Sequence, residues 1–416
     1  MKRTALAAIG LSVCMAAPAL AQDAETPTET TTGGPTVGYY DDAGEWIPPS
    51  RGRAPDTDNC PQATWPPEPV STSERAASSP APLPVLYDGP CGVTAAEGYT
   101  VPDGVVASSW LVADLDSGEV VAMKDPHGRY RPASIIKVLL ALTVIDELPL
   151  EQKVGVSAES AGQEGSAAGI GEGGVYTVED LLTGLLLSSG NDCAHALAQA
   201  LGGDELTLGK INALARKLGM NDTRATSYSG LDTPGMSTSA WDMALAYSAA
   251  FADPTFSRIV DTEHYTFPGF DDLRPFELWN DNHLYLNDPD GIGGKTGYTD
   301  DANHTFVGAV NHEGRRLVAV VLDTSAYDRR PWEQAQMLLH EAYGVRSSVA
   351  KLEALTAETT PAPTTTEAAP TPAPEAGEET AWNRWWSYVI VAAVLALAAL
   401  CAAFSLGTAK KPRRRR

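Results

Sequence analysis

Arg131-Pro132-Ala133-Ser134-Ile135-Ile136-Lys137 runs directly into Val138-Leu139-Leu140-Ala141-Leu142-Thr143-Val144-Ile145. The proline ends an extended approach and the apolar run is long enough for a buried helix. Ser134 is therefore expected in the first turn, where backbone N–H groups lack intrahelical partners. Residues three apart share a helix face, which brings the Lys137 amine within reach of the Ser134 hydroxyl. An amine beside a hydroxyl is the minimum for base-activated serine chemistry. Ser-x-x-Lys is short, however, and a second copy stands at Ser348-Val349-Ala350-Lys351. The weight of the first copy rests on what surrounds it.

The chain has 416 residues, 43% of them hydrophobic, and its 30 prolines fall mainly into two blocks, a pattern of one folded domain between long flanks. Residues 1–21 carry Lys2 and Arg3, an apolar run from Ala5 to Leu20 and a small-x-small close at Ala19-Leu20-Ala21, which reads as a secretory signal peptide. Lipidation at Cys14 is the other reading, and bulky Val13 argues against it. Residues 22–100 are expected to be a Pro-rich, largely irregular extension. Residues 101–347 are expected to form the folded domain and 348–384 a Thr/Pro-rich linker, whose stretch from Thr356 through Trp382, if extended, could span roughly 80 Å at about 3.1 Å per residue.

At the other end, Trp385-Trp386-Ser387-Tyr388 precedes a mostly apolar run from Val389 to Leu406, and Lys410-Lys411 and four arginines follow. The expectation is a membrane helix over 385–408 and a basic cytoplasmic tail over 409–416. No Leu-Pro-x-Thr-Gly precedes the span, so sortase attachment is not indicated. All 53 acids lie between the terminal segments, against 22 of the 30 basic residues, leaving that part at a net −31. Such a charge argues against nucleic acid or anionic lipid as a partner of the exterior domain.

With Cys14 in the signal and Cys401 in the span, Cys60, Cys91 and Cys193 remain outside. Cys60 and Cys91 are the candidate disulfide, because they bracket a proline-rich stretch without a core, whereas Cys193 lies in an apolar helical pattern. A loop of about thirty residues gains about 3–4 kcal/mol from closure in the chain-entropy model. Both thiols reacting as free in secreted protein would refute the pairing.

Ser108–Ala113 alternates, Asp114–Gly118 turns and Glu119–Lys124 returns, a β-hairpin pattern. Thr177-Val178-Glu179-Asp180 is a helix start for Leu181–Leu187, broken at Gly190 and resumed over Asp192–Leu201, and further helices are expected over Thr207–Leu218 and Ser239–Phe251. Strands return at Gly294–Thr299, Thr305–Asn311 and Arg316–Leu322, with a last helix over Trp332–Tyr343. Strands at both ends with helices between predict an α+β fold: an antiparallel sheet flanked by helices, with a mostly helical subdomain.

Two more stretches carry chemistry. Ser189-Gly190-Asn191 stands in the break between two helices, 55 residues after Ser134, and Lys295-Thr296-Gly297-Tyr298 begins a strand 106 residues further on. Each alone reads as a helix cap or a strand end. An ordinary lysine, with a pKa of about 10.4, is protonated at neutral pH. Holding Lys137 neutral costs about 4 kcal/mol, which burial and a nearby cation such as Lys295 can supply. Lys295 and Thr296 can also grip a carboxylate, and Gly293, Gly294 and Gly297 let a substrate backbone lie close.

The three motifs in this order, with Tyr176–Leu182, Leu218-Gly219-Met220, Gly230-Leu231-Asp232 and Gly308-Ala309-Val310, resemble the serine D-alanyl-D-alanine carboxypeptidases, low-molecular-mass penicillin-binding proteins related in fold to serine β-lactamases. The resemblance covers about Val105 to Tyr343. It implies removal of the terminal D-alanine from peptidoglycan stem peptides in a bacterial cell wall, inhibition by β-lactam antibiotics, a role in cell shape and no cofactor. It further implies that Ser134 forms an acyl-enzyme, Lys137 activates it, Ser189 relays a proton to the leaving amine and Asn191 holds the substrate amide. Lys295, Thr296, Gly297 and Tyr298 then bind substrate, with the N–H groups of Ser134 and Tyr298 as the oxyanion hole.

Two departures from the β-lactamases favour a peptidase: Gly190 replaces the Asp of many second motifs, and no Glu-x-x-Leu-Asn appears. The alternatives are a serine β-lactamase and a penicillin-sensing or cell-wall-binding module that acylates without turnover. The seven histidines show no His-Glu-x-x-His spacing, no Gly-x-Ser-x-Gly is present, and His195 and His304 read as structural, so no metal is expected.

Overall fold

The computed structural model describes residues 38–40, 46–47, 50–71, 74, 80–270, 272 and 274–353. Among them no helix is long and apolar enough to cross a membrane. The expected signal peptide, membrane span and basic tail, and the linker beyond residue 353, lie outside the described residues.

A seven-stranded antiparallel sheet organises the domain. Its strands are β1 (Val93–Ala95), β2 (Ser109–Asp114), β3 (Glu119–Lys124), β4 (Gly291–Thr299), β5 (Asn303–His312), β6 (Arg315–Thr324) and β7 (Ala350–Lys351). The order is β4-β5-β6-β2-β3-β7, and β1 also pairs with β3. The short strands β1 and β7 share one edge of β3, against Ala122–Lys124 and Glu119–Val120 respectively. The sheet therefore reaches back before residue 101 and forward past residue 347.

Alternation sends the strand side chains to two cores. Leu111, Ala113, Val318, Val320 and Leu322 pack into one, Trp110, Val112, Leu317, Ala319 and Val321 into the other. The first core is covered by α1 (Lys137–Glu147), α2 (Val178–Leu187), α3 (Asn191–Ala200) and α5 (Ala240–Ala252), with α4 (Asp204–Lys217) and α6 (Pro254–Val260) at its flank. The short α7 (His283–Asn287) contacts β4, and α8 (Pro331–Ala342) covers the second core through Ala335, Leu338, Leu339 and Ala342. At about 1.5–3 kcal/mol for each fully buried large apolar side chain, these cores dominate the stability.

Local chemistry sets the helix starts. Thr177 and Asp180 form a reciprocal capping box at α2, Ser239 caps α5, and Asp253 with Pro254 opens α6. α1 is buried almost all round, with Lys137, Val138, Leu139, Leu140, Ala141 and Val144 all inaccessible, the mark of a central helix.

Residues 50–71 and 80–92 contain no strand or helix, yet they lie fastened to the domain as a strap. Prolines lack N–H groups, so this strap presents carbonyls, and cationic side chains of the domain answer them. Arg129 donates to the carbonyls of Leu83 (2.7 Å) and Pro84 (2.8 Å), Lys124 to Pro55 (2.6 Å) and Arg224 to Ala81 (2.8 Å). In the reverse sense, Arg51 of the strap reaches Asp323 at 2.6 Å and Ser108 at 2.9 Å. Cys60 and Cys91 are joined, and Cys193 is a buried free thiol.

Candidate active site

Ser134 stands in a 3-10 turn, Ala133–Ile136, and α1 starts only at Lys137. The expected α-turn at Ser134 is displaced because Ala133 takes φ +49°, a left-handed conformation that an α-helix does not accommodate. Surrounding groups hold this turn. Thr305 Oγ1 donates to the Pro132 carbonyl at 2.7 Å and the Tyr247 hydroxyl to the Ile135 carbonyl at 3.0 Å. Gly230, at φ +90°, lies so close that a Cβ there would fall 2.0 Å from the Ala133 carbonyl oxygen.

Lys137 is wholly inaccessible, with Nζ 2.7 Å from Ser134 Oγ and donating to the Ser229 carbonyl at 2.6 Å. Burial first, and then the charge of Lys295, hold this amine well below the usual lysine pKa, while Asp281 and Asp192 oppose them. A neutral Nζ keeps a lone pair for the Ser134 proton while its own hydrogen serves the Ser229 carbonyl.

Lys295 is equally buried on β4, and burial lowers its pKa against the pull of Asp281. Its Nζ lies 3.5 Å from Asp281 Oδ2, and Thr296 Oγ1 donates to the same oxygen at 2.9 Å. The Asp281 backbone N–H in turn donates to the Leu187 carbonyl at 2.9 Å, tying this acid to the end of α2.

Ser189 takes φ +60° between α2 and α3. The Asn191 side-chain amide donates to the Glu164 carbonyl at 2.6 Å, and its Oδ1 is buried with no hydrogen-bond partner among the described residues. Asp192 receives the N–H groups of Ala168 (2.9 Å), Gly169 (2.8 Å) and Ile170 (3.1 Å), pinning the loop beside the cleft. A Cβ at Gly190 would stand 2.6 Å from Asp192 Oδ1 and 3.0 Å from the Ala168 nitrogen. A side chain at this position would require Asp192 and the Ala168 segment to shift.

Ser134, Ser189, Asn191, Thr296, Gly297 and Tyr298 line one cleft of about 360 Å³, and Lys137 and Lys295 lie buried behind it. The structure thus brings all the residues of the three motifs together. A Cβ on Gly297 would come within 3.0 Å of the Ser134 nitrogen, so glycine leaves that N–H accessible at the strand.

Sequence reasoning overlooked several participants. The Ser229 carbonyl and Asp281 lie in loops without periodicity, and a backbone carbonyl has no residue signature. His304, expected to be structural, also lines the cleft against Tyr298, with ring centroids 4.7 Å apart. Burial and Arg330 push its pKa down to about 4, so the ring is neutral at pH 7. His195 bonds Ser160 Oγ at 2.8 Å. A second cavity, of about 520 Å³, shares Asp281, Thr296, Gly297 and His304 with the cleft and extends to Trp332.

Comparison with known proteins agrees with this geometry. A family profile described as Peptidase S11, D-alanyl-D-alanine carboxypeptidase, matches residues 96–326. The D-alanyl-D-alanine carboxypeptidase DacB2 of Mycobacterium tuberculosis is 44% identical over 242 residues, 57% of this chain and 82% of the relative. DacF of Bacillus subtilis is 29% identical over 262 residues, 59% and 67% of the two chains. The crystal structure of a D-alanyl-D-alanine carboxypeptidase from M. tuberculosis superposes with a TM-score of 0.59 at 40% identity, covering 62% of this chain and all of that one. A Streptomyces K15 DD-transpeptidase variant gives 0.53 at 26% identity, covering 57% and 97%.

Proposed function

The chain belongs to the D-alanyl-D-alanine carboxypeptidase family, and from that premise we propose that it removes the terminal D-alanine of peptidoglycan stem peptides through an acyl-enzyme on Ser134. The observation that carries this reading is the pair Ser134 Oγ and Lys137 Nζ, 2.7 Å apart, with the lysine fully buried behind a second buried cation.

Ser134 Oγ attacks the carbonyl carbon of the penultimate D-alanine, and its proton passes to Lys137 Nζ. The oxygen of the tetrahedral intermediate takes negative charge between the N–H groups of Ser134 and Tyr298, a donor pair whose single loss costs roughly 10²–10³ in rate. The C–N bond breaks as the leaving amine takes a proton through Ser189. Water then hydrolyses the ester and restores Ser134. Asn191 Oδ1, buried without a partner among the described residues, suits a substrate amide N–H. Thr296, with Lys295 behind it, suits the terminal carboxylate. A β-lactam presents the same acyl carbon and carboxylate, so penicillins acylate the same oxygen.

The sequence supports an extracytoplasmic domain, exported by residues 1–21 and tethered through 385–408, with the basic residues of 409–416 in the cytoplasm. Stoichiometric release of D-alanine from a pentapeptide by the purified protein tests the activity. A penicillin adduct lost by hydrolysis within seconds, without D-alanine release, would favour a β-lactamase instead.

A further inference from the structure

The strap is fastened to the two backbone segments that border the oxyanion position, and it lies ahead of the residues the family profile matches. Arg131 precedes Ser134 by three residues and Asp301 follows Tyr298 by three. Arg131, 5% exposed, donates from Nε to Glu74 at 2.8 Å, from its terminal nitrogens to the second Glu74 oxygen at 2.5 Å and to the Pro67 carbonyl at 2.7 Å. Asp301 receives the backbone N–H groups of Val70 and Ser71, the latter at 2.8 Å, and the Ser71 hydroxyl. Pro67 and Glu74 therefore hold the nucleophile turn through Arg131, and Val70 and Ser71 hold the segment after β4 through Asp301. Among the described residues none of the strap lines the cleft itself.

The charge balance makes this contact a choice rather than a cover. Carboxylate oxygens of Glu74, Asp232 and Asp301 lie within 4.8 Å of one another, and Arg131 faces all three. Burial, and beyond it the Asp301 charge, push Asp232 up to about 6 despite the Thr299 hydroxyl bonded to it at 2.6 Å. Asp232 also accepts the Asp301 N–H at 3.2 Å. Glu74 takes the arginine fork, and the Val70–Ser71 donors satisfy Asp301. Without them Arg131 would be left facing Asp301 and Asp232 alone, both on the β4 side of the contact.

We propose that Glu74, together with the Val70–Ser71 donors on Asp301, is a positioning residue for acylation, setting the spacing between the Ser134 turn and the β4 strand. The proposal rests on Ser134 being the nucleophile.

The test measures the second-order rate of labelling by a fluorescent penicillin, KM and kcat for D-alanine release, and melting temperature on full-length wild type, Glu74→Ala, Glu74→Asp, Glu74→Gln and Lys124→Met. Misplacement of reacting groups by about 1 Å can cost about a hundredfold, so Glu74→Ala is expected to slow labelling by roughly tenfold or more, through kcat rather than KM. Glu74→Asp should recover most of that loss. Lys124→Met removes a strap contact at Pro55 and should lower the melting temperature while leaving labelling within about twofold of wild type. Folded Glu74→Ala that labels at the wild-type rate overturns the proposal, as does Lys124→Met slowing labelling equally. Should Glu74→Ala not fold, Glu74→Gln, which keeps size and one acceptor, decides on the same criterion. Wild type that takes no label refutes the Ser134 reading itself, and the proposal with it.

Discussion

Ser134-x-x-Lys137 and Ser348-x-x-Lys351 are the same motif with opposite fates. In the first, a turn followed by a buried helix puts the two side chains on one face, 2.7 Å apart, with the lysine inaccessible. In the second, Ala350–Lys351 is an edge strand on β3, held by Val349 N–H to the Val120 carbonyl and Leu352 N–H to the Gly118 carbonyl, both 2.8 Å. No helical turn brings Ser348 and Lys351 onto one face, and both are exposed. Neither side chain there has the burial or, among the described residues, the fixed partner that the first pair has. Backbone conformation and burial, rather than residue identity, make the first pair chemically competent.

Exchanging the two copies by mutation gives the largest expected contrast. Ser134→Ala should abolish penicillin labelling and D-alanine release, whereas Ser348→Ala should leave both unchanged; label retained by the first variant breaks the comparison. One step down, Lys137→Met should lower the acylation rate by roughly 10²–10⁴, the usual worth of a positioned base, and Lys351→Met should have no effect in the same stopped-flow assay.

The electrostatic half of the comparison has a sign. Lys137 works as the neutral amine, present above its pKa, and the Lys295 charge helps keep that pKa low. Lys295→Met should therefore move the acidic limb of the kcat/KM profile to higher pH, besides weakening substrate binding. Asp281 pulls the other way on both lysines, so Asp281→Asn should move that limb to lower pH. It should also lower KM for a carboxylate-ended peptide, because Asp281 already engages Lys295 and Thr296. Equal shifts in one direction would contradict the account.

The smallest effect concerns stability behind the site. Asp232 sits at about 6 in the fold, against about 3.9 for an unfolded chain, so its proton favours folding. That contribution is complete below about pH 4 and is lost as pH rises through about 6. Melting temperatures should therefore decline less across this window for Asp232→Asn than for wild type.

Much of this contrast is legible in the sequence. The apolar run after Lys137, the capping box at Thr177 and the alternation of β2, β3, β5 and β6 are periodic signals of adequate length, and they led to the observed elements. β1, at three residues, and β7, at two, are too short for alternation to register. The hairpin of His264–Phe267 and Phe276–Trp279 is interrupted by a loop with Pro268, Gly269 and Pro275, which hides its pairing. At the site, the motif residues were readable because their side chains carry the chemistry. Ser229 acts through its carbonyl, and Asp281 becomes relevant only when the α2 end and β4 meet. The grip of Pro67, Val70, Ser71 and Glu74 on Arg131 and Asp301 has the same character: it joins positions up to 231 residues apart and depends on the folded domain.

The most direct measurement is peptide mapping by mass spectrometry after saturating penicillin treatment of wild type. The account predicts one adduct per chain, on the peptide containing Ser134 and absent from Ser134→Ala, with the Ser348 peptide unmodified. A stoichiometric adduct on any other residue, or one that survives in Ser134→Ala, would contradict it.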